Sequence, residues 1–530
     1  MAAAVCGTRR QTGFPDDRSV RELHGPVIVA SRPVTTADVV CVADGAEVAL
    51  GPEAVERITA ARDVVDRLIS GDELIYGLNT GLGHMRDVRV PVEMLRAYQR
   101  AIVIAHEGAI GDPLPARVVR AAMFARIAGL ARGGAGATLA VAETLVAMLN
   151  RRVHPIVPAV GSVGASDLMH MASIALVATG LGGRAEVEGE ILVGPDAMRR
   201  AGIEPVMLEP KDGLALISAN GVSIGHAALV VHRALESVAV ADLIVAISLE
   251  AIHGNPSIVD PLVAAAKPVP GQIESARRIR AFLRGSDRCQ PGGPASVQDP
   301  LSFRVAPQVH GALREVIRFL ATAVDVELEA SDDNPFVSVP ERRLISNGNF
   351  HPMVLALAAD AARPALTHVG LLSDRRMTHL WATRWQDPQL ASPEGMLAAA
   401  EEGGLLLRYA GGARYAELRA SAGPVTLDVP PLDGGVEDHA TNAPLTVRLK
   451  DRALDLLDDL LAIELLLARD TIHGDTAVGR LGDGVQAALD ALADVVADLG
   501  RRPPGDVLQA RVRGALGARI LPAAERAALV

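Results

Sequence analysis

The chain has 530 residues, 49% of them apolar and only 2% aromatic, with a formal net charge of -11. That length exceeds one ordinary compact core and predicts one very large helical unit or two to three domains, packed mainly by Leu, Ala and Val. An acidic chain without a long basic run is a poor candidate for nucleic acid or an anionic membrane. Its three cysteines, Cys6, Cys41 and Cys289, are too widely spaced to suggest a disulfide framework or a zinc site, so a cytoplasmic protein is expected.

Residues 1–24 mix Arg, Asp, Gly and Pro and read as a mobile N-terminal tail. An N-terminal domain is expected over 25–210, and a central helix bundle with C-terminal helices over 211–530. "AEVALGPEAVERITAARDVVDRLIS" opens a series of helical runs with apolar residues at three- and four-residue steps. In the next run Gly133, Gly134 and Gly136 mark a break between two helices. "RAEVEGEILVG", Arg184 to Gly194, is the best case for a small hairpin. The stretch from Leu214 to His232 has no Asp, Glu, Lys or Arg but carries Ser218, Asn220, Ser223 and two histidines. It reads as a buried helix and not a membrane span. A helix apolar almost all round belongs at the centre of a bundle. The fold class is therefore mostly α.

Six polar, glycine-rich interruptions are not explained by packing: "IYGLNTGLGHMRD" from Ile75, "GSVGASDLMHMA" from Gly161, "SVQDPLSFRVAPQVHG" from Ser296, "SDDNPF" from Ser331, "ISNGNFHP" from Ile345 and "GGVEDHATN" from Gly434. Loops held on a rigid scaffold are where sites tend to lie. No metal-ligand spacing or phosphate loop accompanies them.

Taken together these segments resemble the aromatic amino acid ammonia-lyase and aminomutase family, which includes histidine ammonia-lyase. "YGLNTGLG" is similar to that family's tyrosine loop, "HPIVPAVGSVGASDL" to its cofactor loop and "VQDPLSFRVAPQVHGA" to its arginine loop; "SDRR" (Ser373–Arg376) and "EDH" (Glu437–His439) also fit. The resemblance runs from about residue 30 to 500. It implies a fumarase/aspartase-type long central helix bundle, a homotetramer, and active sites shared among three subunits. It also implies an electrophile, methylidene-imidazolone, closed from an internal Ala-Ser-Gly when the glycine nitrogen attacks the alanine carbonyl.

Here Ala165 and Ser166 are followed by Asp167. The family pattern would place a glycine before that aspartate. A side chain at the ring-closing position hinders a turn that glycine makes freely, so the expectation is a site without the ring. Ser166 and Asp167 remain candidate catalytic residues, although both are also good helix N-caps for the apolar run that follows.

By the same resemblance Tyr76 is the catalytic base, and a phenol working near neutral pH calls for a cationic or polar site that lowers its pKa. Arg304 grips the substrate carboxylate, for which a planar fork is suited, with Gln298 beside it. His106 and Glu437 stand where the histidine-specific branch senses its substrate. Asn349 and Phe350 complete the substrate-binding set. Leu301 takes the place of a second catalytic tyrosine, and Ser218 that of an asparagine beside the cofactor, with Asn220 able to serve if the register slips.

These residues read as an enzyme acting on a small carboxylate or amino-acid-derived substrate by proton transfer and elimination, addition or cyclisation, with no cofactor and no metal. Two other readings fit the same residues. One is an ordinary aromatic or histidine ammonia-lyase or aminomutase that tolerates Asp167 in ring closure. The other is a non-catalytic binding or scaffold homologue.

Overall fold

The computed structural model describes residues 25–385, 392–395, 397, 406–427, 429–475, 479–500 and 503–529. The expected N-terminal tail, 1–24, lies outside them.

Nine helices position what matters for function: α1 (Leu95–Ala105), α2 (Ala116–Ala131), α3 (Leu168–Ala178), α4 (Asp212–Ile217), α5 (Gly221–Ala251), α6 (Leu301–Arg304), α7 (Ala306–Leu328), α8 (Met353–Trp385) and α9 (Ala443–His473). Helix α5 has 31 residues, and nearly every one between Gly221 and Val231 and again between Ser237 and Ala251 is buried. It packs against α2, α7 and α9, and α8 packs against α7 and α9. A helix without a polar face is stable only with such cover on all sides. Helices α4 and α5 together are the one stretch among the described residues long and apolar enough to cross a membrane, and its most apolar window is wholly buried inside the fold.

Buried ion pairs and hydrogen bonds tie the helices of this bundle together. The Arg376 guanidinium on α8 reaches the Glu464 carboxylate on α9 with two bonds of 2.6 and 2.9 Å. Glu464 also accepts from Ser248 of α5 at 2.7 Å. Asp242 of α5 takes His310 at 2.8 Å and Arg314 at 2.5 Å, both from α7. The four long helices α5, α7, α8 and α9 are thereby fixed in rotation as well as in contact.

The strands are few and short. Arg184–Val187 and Glu190–Val193 pair antiparallel, as the alternation predicts. Their turn has Glu188 and Gly189 both at positive φ, the backbone that a tight two-residue hairpin needs. The glycine break also stands where expected, between α2 and the helix Leu139–Asn150.

Candidate functional site

The triad Ala165-Ser166-Asp167 lies in a sharp bend just before α3. Gly164 is at φ +82° and Ser166 at φ +58°. A non-glycine residue in the left-handed region is strained and persists only when its surroundings hold it. Here the bend is held from several directions. The Ser166 amide donates to the Phe350 carbonyl at 3.1 Å, and the Asp167 amide to the Ala219 carbonyl at 2.8 Å. The Thr441 hydroxyl donates to the Gly164 carbonyl at 2.8 Å. The Asn442 amide donates to the Val163 carbonyl at 2.7 Å. A Cβ on Gly164 would collide with the Thr441 hydroxyl, so only glycine permits this approach.

Asp167 is fully buried. It occupies the N-cap position of α3 but makes no side-chain cap there, which corrects the simple capping expectation. Its carboxylate instead accepts from the Ser223 amide at 2.7 Å and hydroxyl at 3.0 Å, and from the Ser162 hydroxyl at 3.2 Å. Ser223 lies in the first turn of α5, so the triad's acid caps the central helix. Burial pushes the Asp167 carboxyl up to about 6, against the downward pull of those donors.

Asn220, just before α5, is also fully buried. Its amide donates to the Asp332 carboxylate at 2.7 Å. Neither the oxygen nor the nitrogen of its side-chain carboxamide has a partner. An orphaned buried carboxamide is costly and suggests a missing group. Ser218, two residues earlier, ends α4 with its amide on the Leu214 carbonyl at 2.8 Å. The unpartnered carboxamide near the bend is that of Asn220.

Asp332 and Asp333 form a turn gripped by the buried Arg126 of α2, which lies 2.7 Å from Asp333. The same turn supports the tyrosine loop, since a Cβ on Gly77 would meet both Leu214 and Pro335. Tyr76 senses the charge of Glu437, and Glu437 senses that of His106. His84 of the tyrosine loop binds Asp433 near Glu437, ring to carboxylate at 2.6 Å. The His106 ring meets the Ile102 carbonyl at 2.6 Å. Asn349 is exposed, its amide held by the Asn347 side chain at 2.8 Å. Tyr76, His106, Ser166, Asp167, Ser218, Asn220, Asn349, Phe350 and Glu437 therefore belong to one region, at the N-terminal end of α5.

The phenol of Tyr76 differs from expectation. Burial first, then the charges of Glu437 and Asp433, hold its pKa above the usual tyrosine value, with the Gly83 backbone and Arg86 opposing them. Glu437 is itself raised, chiefly by burial and by Asp433. Within one chain burial and the two acids outweigh the Gly83 backbone and Arg86, and the phenol stays above its usual value.

Gln298, Leu301 and Arg304 lie elsewhere. Their loop is tied to the C-terminal end of α5, through Ala295 to the His253 carbonyl at 2.8 Å and through Asn255 to Asp299 at 2.6 Å. A helix of 31 residues is about 45 Å long, so one chain does not bring these residues to the triad. With its carboxamide turned so that the oxygen faces the guanidinium, Gln298 accepts from both terminal nitrogens of Arg304, whose Nε has no partner. Leu301 is 59% exposed and Val297 is 95% exposed. Arg376 of "SDRR" donates to the Ser302 carbonyl at 3.0 Å and so fixes α6 to α8.

Several residues of the region were missed by sequence reasoning: Ser162, Ser223, Asp332, Thr441, and the pair His351 and His439. All but Ser223 lie in interruptions or at their edges, which was the available signal. Among the described residues no cluster of His, Cys, Asp and Glu is suited to a metal.

A family model described as aromatic amino acid lyase matches residues 34–494. The chain is 37% identical over 450 residues to histidine ammonia-lyase of Caldanaerobacter subterraneus, covering 84% of this chain and 88% of that one. It is 38% identical over 453 residues to histidine ammonia-lyase of Anaeromyxobacter dehalogenans, covering 83% and 88%. Among solved structures, tyrosine aminomutase of Streptomyces globisporus superposes with a TM-score of 0.86 at 26% identity, covering 95% of this chain and 99% of that one. Ergothionase of Treponema denticola gives 0.85 at 26%, covering 93% and 98%.

These matches overturn the expectation of a site without the ring. Over most of its length the chain is similar to enzymes named as histidine ammonia-lyases, in the family whose electrophile the ring is. The residues around the triad also fit the group. The backbone already turns sharply at Gly164 and Ser166, the bend is buried, and the Asn220 carboxamide beside it is unpartnered.

Proposed function

Because the chain belongs to the aromatic amino acid lyase family, we propose that it is an ammonia-lyase of the histidine type, removing ammonia from an amino acid with an aromatic or imidazole side chain. The observation that carries this reading is the gathering of Tyr76, His106 and Glu437 in the region of a strained, buried Ala165-Ser166-Asp167 bend beside an orphaned carboxamide.

Ala165, Ser166 and the backbone nitrogen of Asp167 would supply the ring, with Asn220 as its hydrogen-bonding neighbour. When formed, the ring withdraws electrons from the substrate and so favours loss of its amine. The protein's own residues do the rest. Tyr76 takes the β-proton at its phenol oxygen. His106 and Glu437 set the side-chain end of the substrate, where a carboxylate beside an imidazole favours its protonated form. Buried Asp167 keeps the bend on the positive end of α5. Arg304 binds the carboxylate with its fork, and it comes from a neighbouring copy, since α5 separates it from Tyr76 in its own chain. The apolar side chains exposed beside Arg304, Val297 and Leu301, suit an interface. The homotetramer with shared sites that the family resemblance implies is consistent with this reading. The guanidinium then also adds to Arg86 as a cation near Tyr76.

The test is ammonia release from histidine, tyrosine and phenylalanine, with intact mass measured on the same preparation. Release with a mass deficit of two waters is expected. A chain of full mass that releases no ammonia from any of the three overturns the reading.

A further inference from the structure

Two histidines join the segments that hold the triad. His351 Nε2 lies 2.7 Å from His439 Nδ1, with ring centroids 5.0 Å apart. His351 follows Phe350, whose carbonyl takes the Ser166 amide at 3.1 Å. His439 stands two residues before Thr441, whose hydroxyl takes the Gly164 carbonyl at 2.8 Å. It also stands two residues after Glu437, which faces Tyr76 and His106. His351 is half-buried, its ring edge-on to Phe350, and His439 is exposed. The pair therefore runs from the wall of the bend outward.

A hydrogen bond between two imidazoles requires that one be donor and the other acceptor. In the neutral pair one proton lies on the bridge, one outer nitrogen carries hydrogen and the other has a free lone pair. Moving the bridging proton across exchanges the outer roles. Such a pair can accept a proton at one end and release one at the other without either ring moving. Glu437 lies in the same loop, with Asp433 and His106 facing it. Burial and the neighbouring His439 hold His351 below the usual histidine value, so it does not retain a proton near neutrality.

We propose that His351 and His439 are a proton-carrying pair that links the site at the triad bend to solvent during elimination. This rests on the lyase reading. In that reaction the β C–H bond breaks and its electron pair becomes the C=C bond. The C–N bond breaks with its pair on nitrogen, and the β-proton passes to the Tyr76 oxygen. The phenol must lose that proton before the next turnover, while the departing ammonia must gain one to become ammonium. The pair passes the proton outward from the Tyr76 and Glu437 region to water, where ammonia takes it. No electrons are gained or lost overall. The two histidines are positioning and relay residues that act through Tyr76.

The experiment compares the full-length protein with His351→Gln, His439→Gln and the double variant. Glutamine keeps a donor and an acceptor but does not carry a proton. Expected is a fall in kcat of about a hundredfold, the low end of what positioned proton transfer supplies. KM should stay within about twofold, the pH profile of kcat should change, and added imidazole should restore the rate in a saturable way. The double variant should be no worse than the singles, because the pair acts as a unit. His439 is exposed, so its replacement leaves folding intact, and light scattering checks assembly. Loss of kcat and KM together, with an unchanged pH profile and no imidazole rescue, makes the pair structural and overturns the proposal. Wild-type protein that releases no ammonia sinks the lyase reading, and the relay with it. Wild-type release with no change in either single variant sinks the relay alone.

Discussion

The Asp167 carboxylate accepts from the Ser223 amide at 2.7 Å, so the acid that ends the triad caps a helix other than the one it precedes. Helix α5 has no side-chain cap of its own. Its first turn presents unpaired N–H groups and the positive end of its dipole, and Asp167 meets both. The triad bend is thereby bolted to the longest buried helix of the N-terminal half of the bundle.

Asp167→Ala should destabilise the protein by about 2–4 kcal/mol, from the lost cap and the buried donors of Ser223 and Ser162 left unmet. Asp167→Asn should cost less, because one oxygen remains to accept. Urea midpoints at fixed protein concentration measure this. Equal stability of wild type and Asp167→Ala would show that the cap contributes nothing.

The same group gives a pH dependence with a definite sign. The folded-state pKa of Asp167, about 6, lies above its ordinary value of 3.8, and Asp332 is likewise raised to about 6. The folded protein therefore holds these protons more tightly than the unfolded chain. Their contribution is full below about pH 4 and is lost as pH rises through about 6. Asp167→Asn should flatten the melting temperature against pH between about 4 and 6, leaving the slope due to Asp332. A steeper slope in the variant would reverse the assignment.

Much of the fold was legible because it rests on local pattern. A run without charges predicts a buried α5, three clustered glycines predict the break after α2, and strict alternation predicts the hairpin at 184–193. The site was legible as segments but not as contacts. "GASD" before an apolar run reads as an N-cap. That Asp167 caps α5 instead depends on the packing of a helix more than fifty residues away. Ser218 and Asn220 sit close together in sequence, and only the structure shows that the Asn220 carboxamide is buried without a partner. The His351–His439 contact spans 88 residues. The raised pKa of Tyr76 follows from burial and then from acids in a different loop, and runs against the cationic setting inferred from its role.

Asn220→Ala should separate function from stability. The carboxamide is buried with both polar atoms unmet, so removing it takes away a penalty of about 1–3 kcal/mol. The Asn220 amide keeps its bond to Asp332. Thermal stability should hold or rise, while ammonia release falls about 10²- to 10³-fold, as for loss of one preorganised donor. A loss of stability with activity intact would place Asn220 in the scaffold alone.

The buried pair Arg376–Glu464 also has a role beyond cohesion. Glu464→Gln leaves a buried guanidinium uncompensated, which should cost about 3–5 kcal/mol. Because Arg376 also holds the Ser302 carbonyl, α6 should loosen and KM should rise more than kcat falls. Kinetics well below the shifted melting point distinguish this from simple unfolding, and an unchanged KM would show that α6 does not depend on the pair.

The separation of Tyr76 from Arg304 allows a mixing experiment. Tyr76→Phe removes the base and Arg304→Ala removes the carboxylate clamp, so each variant alone should be nearly inactive. If a site takes Tyr76 from one copy and Arg304 from another, equal co-expression of the two variants gives some sites both functional residues. With random assembly of a closed oligomer, each contributing position is intact in half the cases, so about a quarter of the sites should be complete. If both residues served the same site from a single chain, no mixed assembly could contain a complete site, since every chain lacks one of them. The separation of about 45 Å along α5 favours the first outcome. The measurement is the rate of ammonia release per chain in the co-expressed sample, with each variant alone and the two mixed after separate purification as controls. Recovery toward a quarter of the wild-type rate in the co-expressed sample alone supports a shared site, whereas a rate no higher than the sum of the single variants would mean that Arg304 does not reach across copies to the triad.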